Sequence, residues 1–275
     1  MNILNLDEMF ELYGNVKDDL KFLIASDVRS KILISLKDGS KNLGHLRREI
    51  HLSSSTILHG MYQLEKKDLI FRESGNYSLS QTGEIAAGKL MDLMKSINSL
   101  NRCKDLFLNH EIGCIPSYLL KDIGFLNKAT IIKSTSTEMT KHHTILSQLL
   151  EGTKNFKQLS SVFFPQSAHL LLESLENNGE VHLLFTEEII HKLSETAGPE
   201  NLQRWVSSGR LKLGIIPDNT KISFTMADDF IILGLFSMDG AYDQNIFLKS
   251  NEYESLFWGK CLFNHYIKNS TEFGL

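Results

Sequence analysis

The stretch Ser54–Ile70, SSTILHGMYQLEKKDLI, predicts a helix with two chemically different faces. Ile57, Met61 and Leu64 recur at helical spacing, so they form one apolar face of a helix over about residues 54–67. The other face carries mostly polar groups, namely Ser54, Ser55, Leu58, His59, Tyr62 and Gln63. An amphipathic helix of this kind packs on a core with one face and presents the other to solvent or to a partner.

Two shorter helices are predicted upstream. The apolar residues of Val28–Leu36 recur at helical spacing, and a second helix covers about Leu43–Ile50. His51-Leu52-Ser53 is typical of a tight turn. The hydroxyl of Ser53 or Ser54 can then cap the third helix by accepting a hydrogen bond from a free backbone N–H group.

A β-hairpin is predicted downstream of the third helix. Leu69–Arg72 and Tyr77–Leu79 are short strand patterns, separated by a turn at Ser74-Gly75-Asn76. Three helices followed by a hairpin is the order of a winged helix-turn-helix. The first part of the chain is therefore predicted to have this fold.

The net charge of −4 is unevenly distributed along the chain. Residues 1–100 contain 13 Lys and Arg against 13 Asp and Glu, so the whole deficit lies in residues 101–275. Residues 41–72 carry six basic side chains against three acidic ones, with three histidines among them. A local basic surface on a neutral module is compatible with DNA binding, although most charge clusters are simply solvated faces.

The third helix and its flanks form the predicted DNA-binding surface. Short polar side chains at a helix N-terminus allow close approach to a major groove, and the N-terminus itself favours phosphate. The candidates for the groove are Ser54, Ser55, Thr56, Leu58, His59 and Tyr62. The candidates for phosphate contacts are Arg47, Arg48, Lys66 and Arg72. The alternative is a winged helix that serves only as a protein–protein module.

Three segments of this half resemble archaeal and bacterial winged-helix regulators. Ala25–Leu33 is similar to their first-helix signature, Ser54–Ile70 to their recognition helix, and Leu79–Gly83 to the segment after the wing. The sequence departs from the family at Asp68, where glycine is usual. Because Asp tolerates left-handed backbone angles better than most residues, the turn is expected to be preserved.

A long helix is predicted over about Thr82–Asn101. Its apolar residues are Ile85, Leu90, Leu93, Met94, Ile97 and Leu100. This stripe is wide enough to pack on the winged helix, on a second domain or on a twin chain, and the sequence leaves these alternatives open. The predicted organisation is a DNA-binding domain in residues 1–81, a linker or dimerisation helix in 82–109 and an effector domain in 110–275.

The remainder alternates between strand and helix patterns. Predicted strands are Ala129–Lys133, Val181–Phe185, Leu211–Ile216, Ile222–Met226, Phe230–Phe236 and Ile246–Leu248. Predicted helices are Glu138–Leu150, Gln166–Asn177, Glu187–Ser194, Glu200–Val206 and Glu252–Tyr266. This order favours an α/β or mixed sheet with helices on both faces, so the whole chain belongs to the α+β or α/β class.

Several segments of this second half resemble the effector domain of the methanogenesis (or filament) regulatory proteins of methanogens. They are His110–Ile112, Ile115–Leu119, Phe224–Phe230, Leu233–Phe236, Asp239–Asp243, Leu256–Gly259 and Leu262-Phe263. The two resemblances span nearly the whole chain in the family's order. They imply an archaeal regulator whose second domain is phospholipase-D-like.

The sequence lacks the residues that phospholipase-D chemistry requires. That chemistry uses a nucleophilic His with a Lys two residues later, and none of the ten histidines has such a Lys. The GxSxG, P-loop, GxGxxG and HExxH motifs are also missing. The sequence therefore predicts no catalytic residues and no enzyme activity.

Two loops are candidates for binding a small-molecule effector. Ser134, Thr135 and Ser136 follow a strand and precede a helix, where hydroxyl and N–H groups can hold an anion. Asp239, Tyr242 and Asp243 could accept hydrogen bonds from a ligand. In the alternative interpretation the first loop only caps a helix and the second only forms a turn.

Composition limits the class of protein. The chain has no run of apolar residues long enough to span a membrane and no basic start typical of a signal peptide, which predicts a cytoplasmic protein. Cys103, Cys114 and Cys261 are odd in number and widely spaced, so they form no disulfide framework. A Cys103/His110/Cys114 metal or thiol site is one interpretation, and ordinary reduced cysteines in or near a core are the favoured one. No metal and no cofactor are predicted.

The resulting hypothesis is a DNA-binding transcriptional regulator. It would bind double-stranded DNA as a homodimer, with a C-terminal domain that senses a small molecule or mediates assembly. Two alternatives are a protein-binding adaptor and an α/β enzyme with a fused winged helix.

Overall fold

The computed structural model describes residues 5–135, 137–138 and 141–273. These residues form two compact units, the first ending at Met94 and the second beginning at Lys95. The boundary lies inside one helix, Gln81–Arg102. Each unit has its own apolar core.

The first unit is a helical bundle with a small sheet. Its helices are α1 (Leu6–Ile24), α2 (Asp27–Leu36), α3 (Leu43–Ile50), α4 (Ser54–Lys66) and the first part of α5 (Gln81–Arg102). Its strands are β1 (Lys41–Asn42), β2 (Ile70–Glu73) and β3 (Asn76–Leu79), in the order β1-β3-β2. The predicted winged helix-turn-helix is confirmed, and β1 adds a third strand to the expected hairpin.

Helices α2 and α4 pack closely because one residue between them lacks a side chain. A Cβ atom at Gly60 would lie 2.9 Å from Val28 Cγ1 and 3.0 Å from Ile32 Cδ1. Ile32 and the predicted apolar face of α4, Ile57, Met61 and Leu64, are all buried in the core of this unit. The close approach fixes the position of the opposite face of α4.

Left-handed residues set the turns on either side of the wing. Asp68 has φ 54°, which confirms that Asp takes the conformation for which glycine is usual. The hairpin turn consists of Ser74 (φ 46°) and Gly75 (φ 84°), because Asn76 already pairs with Glu73. The predicted three-residue turn is thus one residue too long. Two consecutive positive φ angles are the geometry that closes a two-residue hairpin.

The second unit is built on one mixed sheet. After α6 (Lys104–Asn109), α7 (Ser117–Lys121) and a 3-10 turn at Ile123–Leu126, its helices are α8 (Lys141–Leu150), α9 (Pro165–Glu176), α10 (Glu187–Ala197), α11 (Pro199–Ser207) and α12 (Tyr253–Lys268). Its strands are β4 (Thr130–Lys133), β5 (Phe156–Ser160), β6 (Val181–Phe185), β7 (Leu211–Ile215), β8 (Ile222–Met226), β9 (Ile231–Leu235), β10 (Ile246–Ser250) and β11 (Thr271–Glu272).

The strand order is β11-β7-β6-β5-β8-β9-β10-β4. Strands β5, β6 and β7 are parallel, and the other pairings are antiparallel. The carboxyl ends of the three parallel strands therefore share one edge of the sheet, and their starting residues share the other. This confirms the predicted mixed sheet.

Helices cover both faces of this sheet, as predicted. Trp258, Leu262 and Phe263 of α12 pack with Phe224 and Leu233 in one core. Leu171 of α9, Ile190 of α10 and Trp205 of α11 pack in a second core with other strand residues. Because β8 and β9 are buried along their whole length, each faces apolar neighbours on both sides.

Several elements were not predicted from the sequence, and β5 and α1 are the most informative of them. Strand β5 is central to the sheet, but Lys157 and Gln158 interrupt its apolar run, and the buried Gln158 and Ser160 resemble loop residues. Helix α1 precedes the predicted first helix, and none of its residues, all of which the structure describes, is buried. Helix α8 begins at Lys141 rather than at Glu138, because Glu138 forms an isolated bridge with Thr135.

No helix within the described part of the chain is long and apolar enough to cross a membrane.

Candidate nucleic-acid interface

A serine hydroxyl caps the N-terminus of α4. Ser53 Oγ accepts a hydrogen bond from Thr56 N at 3.2 Å and lies 2.9 Å from Ser55 Oγ and 2.7 Å from Thr56 Oγ1. Of the two predicted caps, Ser53 is therefore the correct one. The cap fixes the first turn of α4, where the positive end of the helix dipole favours an approaching phosphate.

The face of α4 opposite the core is exposed. Ser55, His59, Tyr62 and Lys66 follow one another at intervals of three and four residues, so they form a single row along the helix. Tyr62 is 62% exposed and Leu58 44%, while Thr56 is exposed and Ser54 is half-buried. The structure thus places the six predicted groove residues in the N-terminal two-thirds of α4, with Ser54 the least accessible.

A chain of hydrogen bonds holds His59. Arg29 Nη1 donates to Gln63 Oε1 at 2.7 Å, and Gln63 Nε2 lies 3.0 Å from His59 Nε2. Arg29 is itself fixed, since its Nε donates to the Phe22 carbonyl at 2.9 Å and its guanidinium lies 4.3 Å from the centre of the Phe22 ring. The sequence did not indicate Arg29 and Gln63 as site residues, because a contact 34 residues apart leaves no local pattern.

The four predicted phosphate-binding residues are exposed to solvent. Within the residues that the structure describes, Arg47, Arg48, Lys66 and Arg72 form no ion pair. Arg72 lies on the wing with its guanidinium 5.4 Å from the centre of the Tyr77 ring. Their charges are therefore available to an external anion.

Two neighbouring lysines, Lys41 and Lys67, do have acidic partners. Lys41 Nζ lies 2.8 Å from both carboxylate oxygens of Glu49, and Lys67 Nζ lies 2.7 Å from Asp19 Oδ1. Hydrogen bonding to Glu49 raises the pKa of Lys41, and the same bond lowers the pKa of Glu49. These lysines contribute to the basic count of residues 41–72 but have internal partners.

The first predicted effector loop has few contacts. Ser134 N donates to Asn245 O at 2.7 Å, and the Ser134 hydroxyl is buried without a hydrogen-bond partner among the described residues. Thr135 is exposed and its hydroxyl lies 3.1 Å from that of Thr137. Ser136 lies outside the described residues. Ligand binding by this loop stays a prediction.

The second predicted effector loop is held together by its own acidic residues. Asp239 Oδ1 accepts from Ser237 Oγ at 2.5 Å and from Ala241 N at 3.0 Å, contacts that lower the pKa of Asp239. Asp243 accepts from Asn245 N at 2.8 Å and lies 3.2 Å from the buried His110 ring. Burial raises the pKa of Tyr242, whose ring packs 5.5 Å from that of Phe164. These contacts give all three residues a structural role, and ligand contact stays a prediction for them.

The cysteines are free thiols. Burial raises the pKa of Cys103 to about 11 and that of Cys114 to about 12. Both thiols are therefore protonated near neutral pH and lack the thiolate character that nucleophilic reactivity needs. Within the described residues, no group of three His, Cys, Asp or Glu side chains is arranged to hold a metal ion.

Comparison with known proteins identifies two family domains. Residues 17–98 match the N-terminal domain of methanogenesis regulatory protein FilR1, and residues 139–269 match the middle domain of that protein. The chain is 26% identical over 259 residues to methanogenesis regulatory protein FilR1 of Methanothrix harundinacea (strain 6Ac), which covers 92% of this chain. The match covers 57% of that relative's length.

Two solved structures show more distant similarity. TrmBL2, an archaeal chromatin protein described as showing a novel mode of DNA binding, is 13% identical and covers 98% of this chain and 100% of its own, with a TM-score of 0.42. Nuc, a phospholipase D family member from Salmonella typhimurium, is 9% identical and covers 54% of this chain and 99% of its own, with a TM-score of 0.36. The fold assignment rests on the elements described above.

The two domain matches follow the same order as the two resemblances in the sequence, and the first of them contains the capped helix α4 and the wing. The chain therefore carries an N-terminal and a middle domain of the FilR1 type, in that order, and resembles an archaeal methanogenesis regulator.

Proposed function

We propose that the protein is a cytoplasmic, DNA-binding transcriptional regulator that contacts duplex DNA through α4, α3 and the wing. The observation that supports this most strongly is the combination of an exposed polar row on α4 with four cations on the same unit that form no ion pair within the described part of the chain. Duplex DNA presents bases in a groove between two lines of phosphates, so a binding surface needs both kinds of group.

The two kinds of residue have different roles. Ser55, His59 and Tyr62 lie in one row and would face base edges, with Ser54, Thr56 and Leu58 beside them. Arg47, Arg48, Lys66 and Arg72 would neutralise phosphates, which supplies affinity and salt dependence without reading sequence. Gln63 would hold the His59 ring in one orientation, so that it presents a constant hydrogen-bonding group to the bases.

The regulator is proposed to act as a homodimer. Exposed apolar residues recur along α1, notably Leu6, Phe10, Tyr13 and Ile24. Ile85, Leu93, Met94, Ile97 and Leu100 of α5 are also exposed. An apolar stripe of this extent is costly in water unless a partner covers it, and a second copy would also provide the two-fold symmetry needed to bind paired half-sites.

The second unit is proposed to sense a small molecule rather than to catalyse a reaction. The match to both domains of a regulatory protein and the missing His-x-Lys motif support this assignment. The enzyme alternative predicts turnover of a substrate by the full chain. The adaptor alternative predicts a winged helix without salt-dependent affinity for DNA.

Fluorescence anisotropy of a labelled duplex tests the proposal. The duplex upstream of the protein's own gene is compared with a scrambled duplex of equal length from about 50 to 200 mM salt. Site-selective binding with a steep loss of affinity as salt rises supports the regulator. Equal, weak binding to both duplexes at every salt concentration supports the adaptor and overturns the proposal.

The oligomeric state is measured separately by sedimentation velocity. A dimer of the full chain is expected, and Phe10→Asp with Tyr13→Asp should shift it towards monomer. An unchanged dimer would exclude α1 from the interface, whereas a monomeric wild type would contradict the homodimer itself.

A further inference from the structure

The second unit contains a cavity of about 530 Å³ that lies away from both predicted effector loops. It is located at the edge of the sheet where β5, β6 and β7 begin and where β8 ends. The first two turns of α12 form its other wall, through Tyr253, Leu256, Phe257 and Lys260. The volume falls within the range of about 300–1,000 Å³ that is typical of small-molecule sites.

Three basic side chains form a row across the sheet inside this cavity. Lys157 of β5 pairs in register with His182 of β6, which pairs in register with Lys212 of β7. Residues in register on parallel strands point to the same face, so the three side chains are neighbours on adjacent strands. Both Lys157 Nζ and the His182 ring lie close to Phe263 of α12, at 5.8 and 5.1 Å from its ring centre.

The lysine charges of this row are not neutralised by other side chains that the structure describes. Within the described residues, Lys157, Lys212 and Lys260 form no ion pair, and the two acids of the cavity, Glu180 and Asp228, form none either. Lys157 and Lys212 lie on β5 and β7, on either side of the His182 ring, so the row presents two positive charges without a negative charge between them. Burial, followed by the charges of Lys212 and Lys157, lowers the pKa of His182 to about 4.

The wall formed by α12 is apolar and accessible. Tyr253 is 83% exposed and Phe257 is 51% exposed, and Leu256 lies between them. Met226 adds a polarisable side chain from the end of β8. A ligand that binds both walls needs an anionic group to pair with the basic row and an apolar or aromatic body to pack against α12.

We propose that this cavity is the effector site and that it binds a small organic anion, with its charged group between Lys157, Lys212 and Lys260 and its apolar body against Phe257 and Tyr253. The inference rests on the proposed sensing function of the second unit. It assigns the site to a part of the fold that the sequence did not indicate, because the basic row is assembled from three strands far apart in the chain.

Isothermal titration calorimetry of the full chain without DNA tests the site, with three naphthalene probes of similar size. 1-Naphthyl phosphate and 1-naphthoate are the anions, and 1-naphthalenemethanol is the neutral control. Saturable binding of at least one anion, at least tenfold tighter than that of the alcohol, is expected. The anion that binds more tightly shows whether the site prefers a phosphate or a carboxylate. Equal affinity for all three, or no saturable binding by either anion, would overturn the proposal.

Matched variants locate the binding. Lys157→Met with Lys212→Met keeps most of each apolar stem and should weaken the anion at least tenfold. Lys128→Met with Lys192→Met makes the same change in charge at two exposed lysines that pair with Glu252 and Glu188, and it should leave binding unchanged. Equal effects of the two variants would show that anion binding depends only on net charge, which would contradict a site at this cavity. Circular dichroism melting confirms that each variant folds.

The ring of His182 provides a second readout. The charged groups around it in the cavity are Lys157, Lys212, Lys260, Arg210, Glu180 and Asp228. A bound anion offsets the lysine charges, so the pKa of His182, measured by NMR, should rise from about 4 when the anion is added. An unchanged titration in the presence of saturating anion would contradict binding at the basic row.

The two proposals can fail independently. Anion binding without any affinity for DNA would retain the cavity assignment and reject the regulator. DNA binding without any anion binding would retain the regulator and reject this site. If both ligands bind, the anisotropy assay repeated with saturating anion measures the coupling between them.

Discussion

The surface of α4 and the cavity beside α12 both contain cations that form no ion pair with any described residue, yet the two regions differ in shape. Arg47, Arg48 and Lys66 lie on exposed helical surfaces, whereas Lys157 and Lys212 lie on the two strands that flank β6, where these strands begin. A convex, solvated set can follow the extended phosphates of a duplex. A concave set beside aromatic side chains suits one small anion. Shape and neighbouring groups, rather than charge alone, therefore distinguish the two proposed ligands.

The largest effect is expected on duplex affinity, and it distinguishes the cations of α3 and α4 from those of the cavity. Arg47→Ala with Arg48→Ala should weaken binding to every duplex by roughly 50-fold near 0.1 M salt. Each phosphate contact contributes about 0.9 to the slope of log affinity against log salt, so the loss of two contacts accounts for this factor. Affinity for 1-naphthyl phosphate should be unchanged. Anisotropy and calorimetry on the same preparation measure the two quantities. A comparable loss of both ligands would mean that the two sets are not independent.

A substitution on the buried face of α4 tests the close packing of α4 against α2, which positions the DNA-binding face. Gly60→Ala places a methyl group about 2.9 Å from Val28 Cγ1 and should lower the free energy of unfolding by about 1–3 kcal/mol. Gly88→Ala is the matched control, since no atom lies within 4 Å of its new Cβ, and it should be neutral or stabilising by up to about 1 kcal/mol. Urea denaturation measures both. Equal stability of the two variants would contradict the close packing of α2 and α4.

A smaller effect is expected on the discrimination between DNA sequences. His59→Ala should reduce discrimination between the upstream and scrambled duplexes by about 1–3 kcal/mol if the ring contacts a base edge. Its effect on the scrambled duplex should be slight. Gln63→Ala removes the partner of the ring and should cause part of the same loss. Unchanged discrimination in both variants would remove His59 from the groove.

The smallest effect concerns the cavity and pH. The pKa of His182 is lowered from 6.5 to about 4 in the folded protein, so the unfolded chain binds a proton more readily. The stabilisation from the neutral ring is therefore present above about pH 6.5 and is lost as the pH falls towards about 4. Compared with His182→Gln, the wild type should lose more of its melting temperature over this interval. His191→Gln, at an exposed position, is the control.

The sequence predicted most of the first unit because its signals are local. The spacing of Ile57, Met61 and Leu64 defines α4, and Asp68 lies at the turn where left-handed angles are needed. Helix α1 was not predicted because most of its apolar residues are exposed, although Phe22 and Leu23 of its last turn pack against the core. Contacts such as Arg29 with Gln63 join distant parts of the chain, so no pattern in the sequence indicates them.

The second unit was predicted less completely because its order depends on long-range pairing. Strand β5 was missed since its buried Gln158 and Ser160 are polar, although the strand lies between β6 and β8. Without β5, the register of Lys157 with His182 and Lys212 cannot be recognised. The two loops proposed from sequence contain the expected polar residues, but the acids of the second loop bind its own backbone.

The most direct test of the central claim is the salt dependence of duplex binding in two charge-matched variants. The slope of log affinity against log salt should become shallower by about 2 in Arg47→Ala with Arg48→Ala, since two phosphate contacts are lost. It should stay at the wild-type value in Lys128→Ala with Lys192→Ala, which carries the same change in net charge. Identical slopes in both variants would contradict DNA binding through α3 and α4.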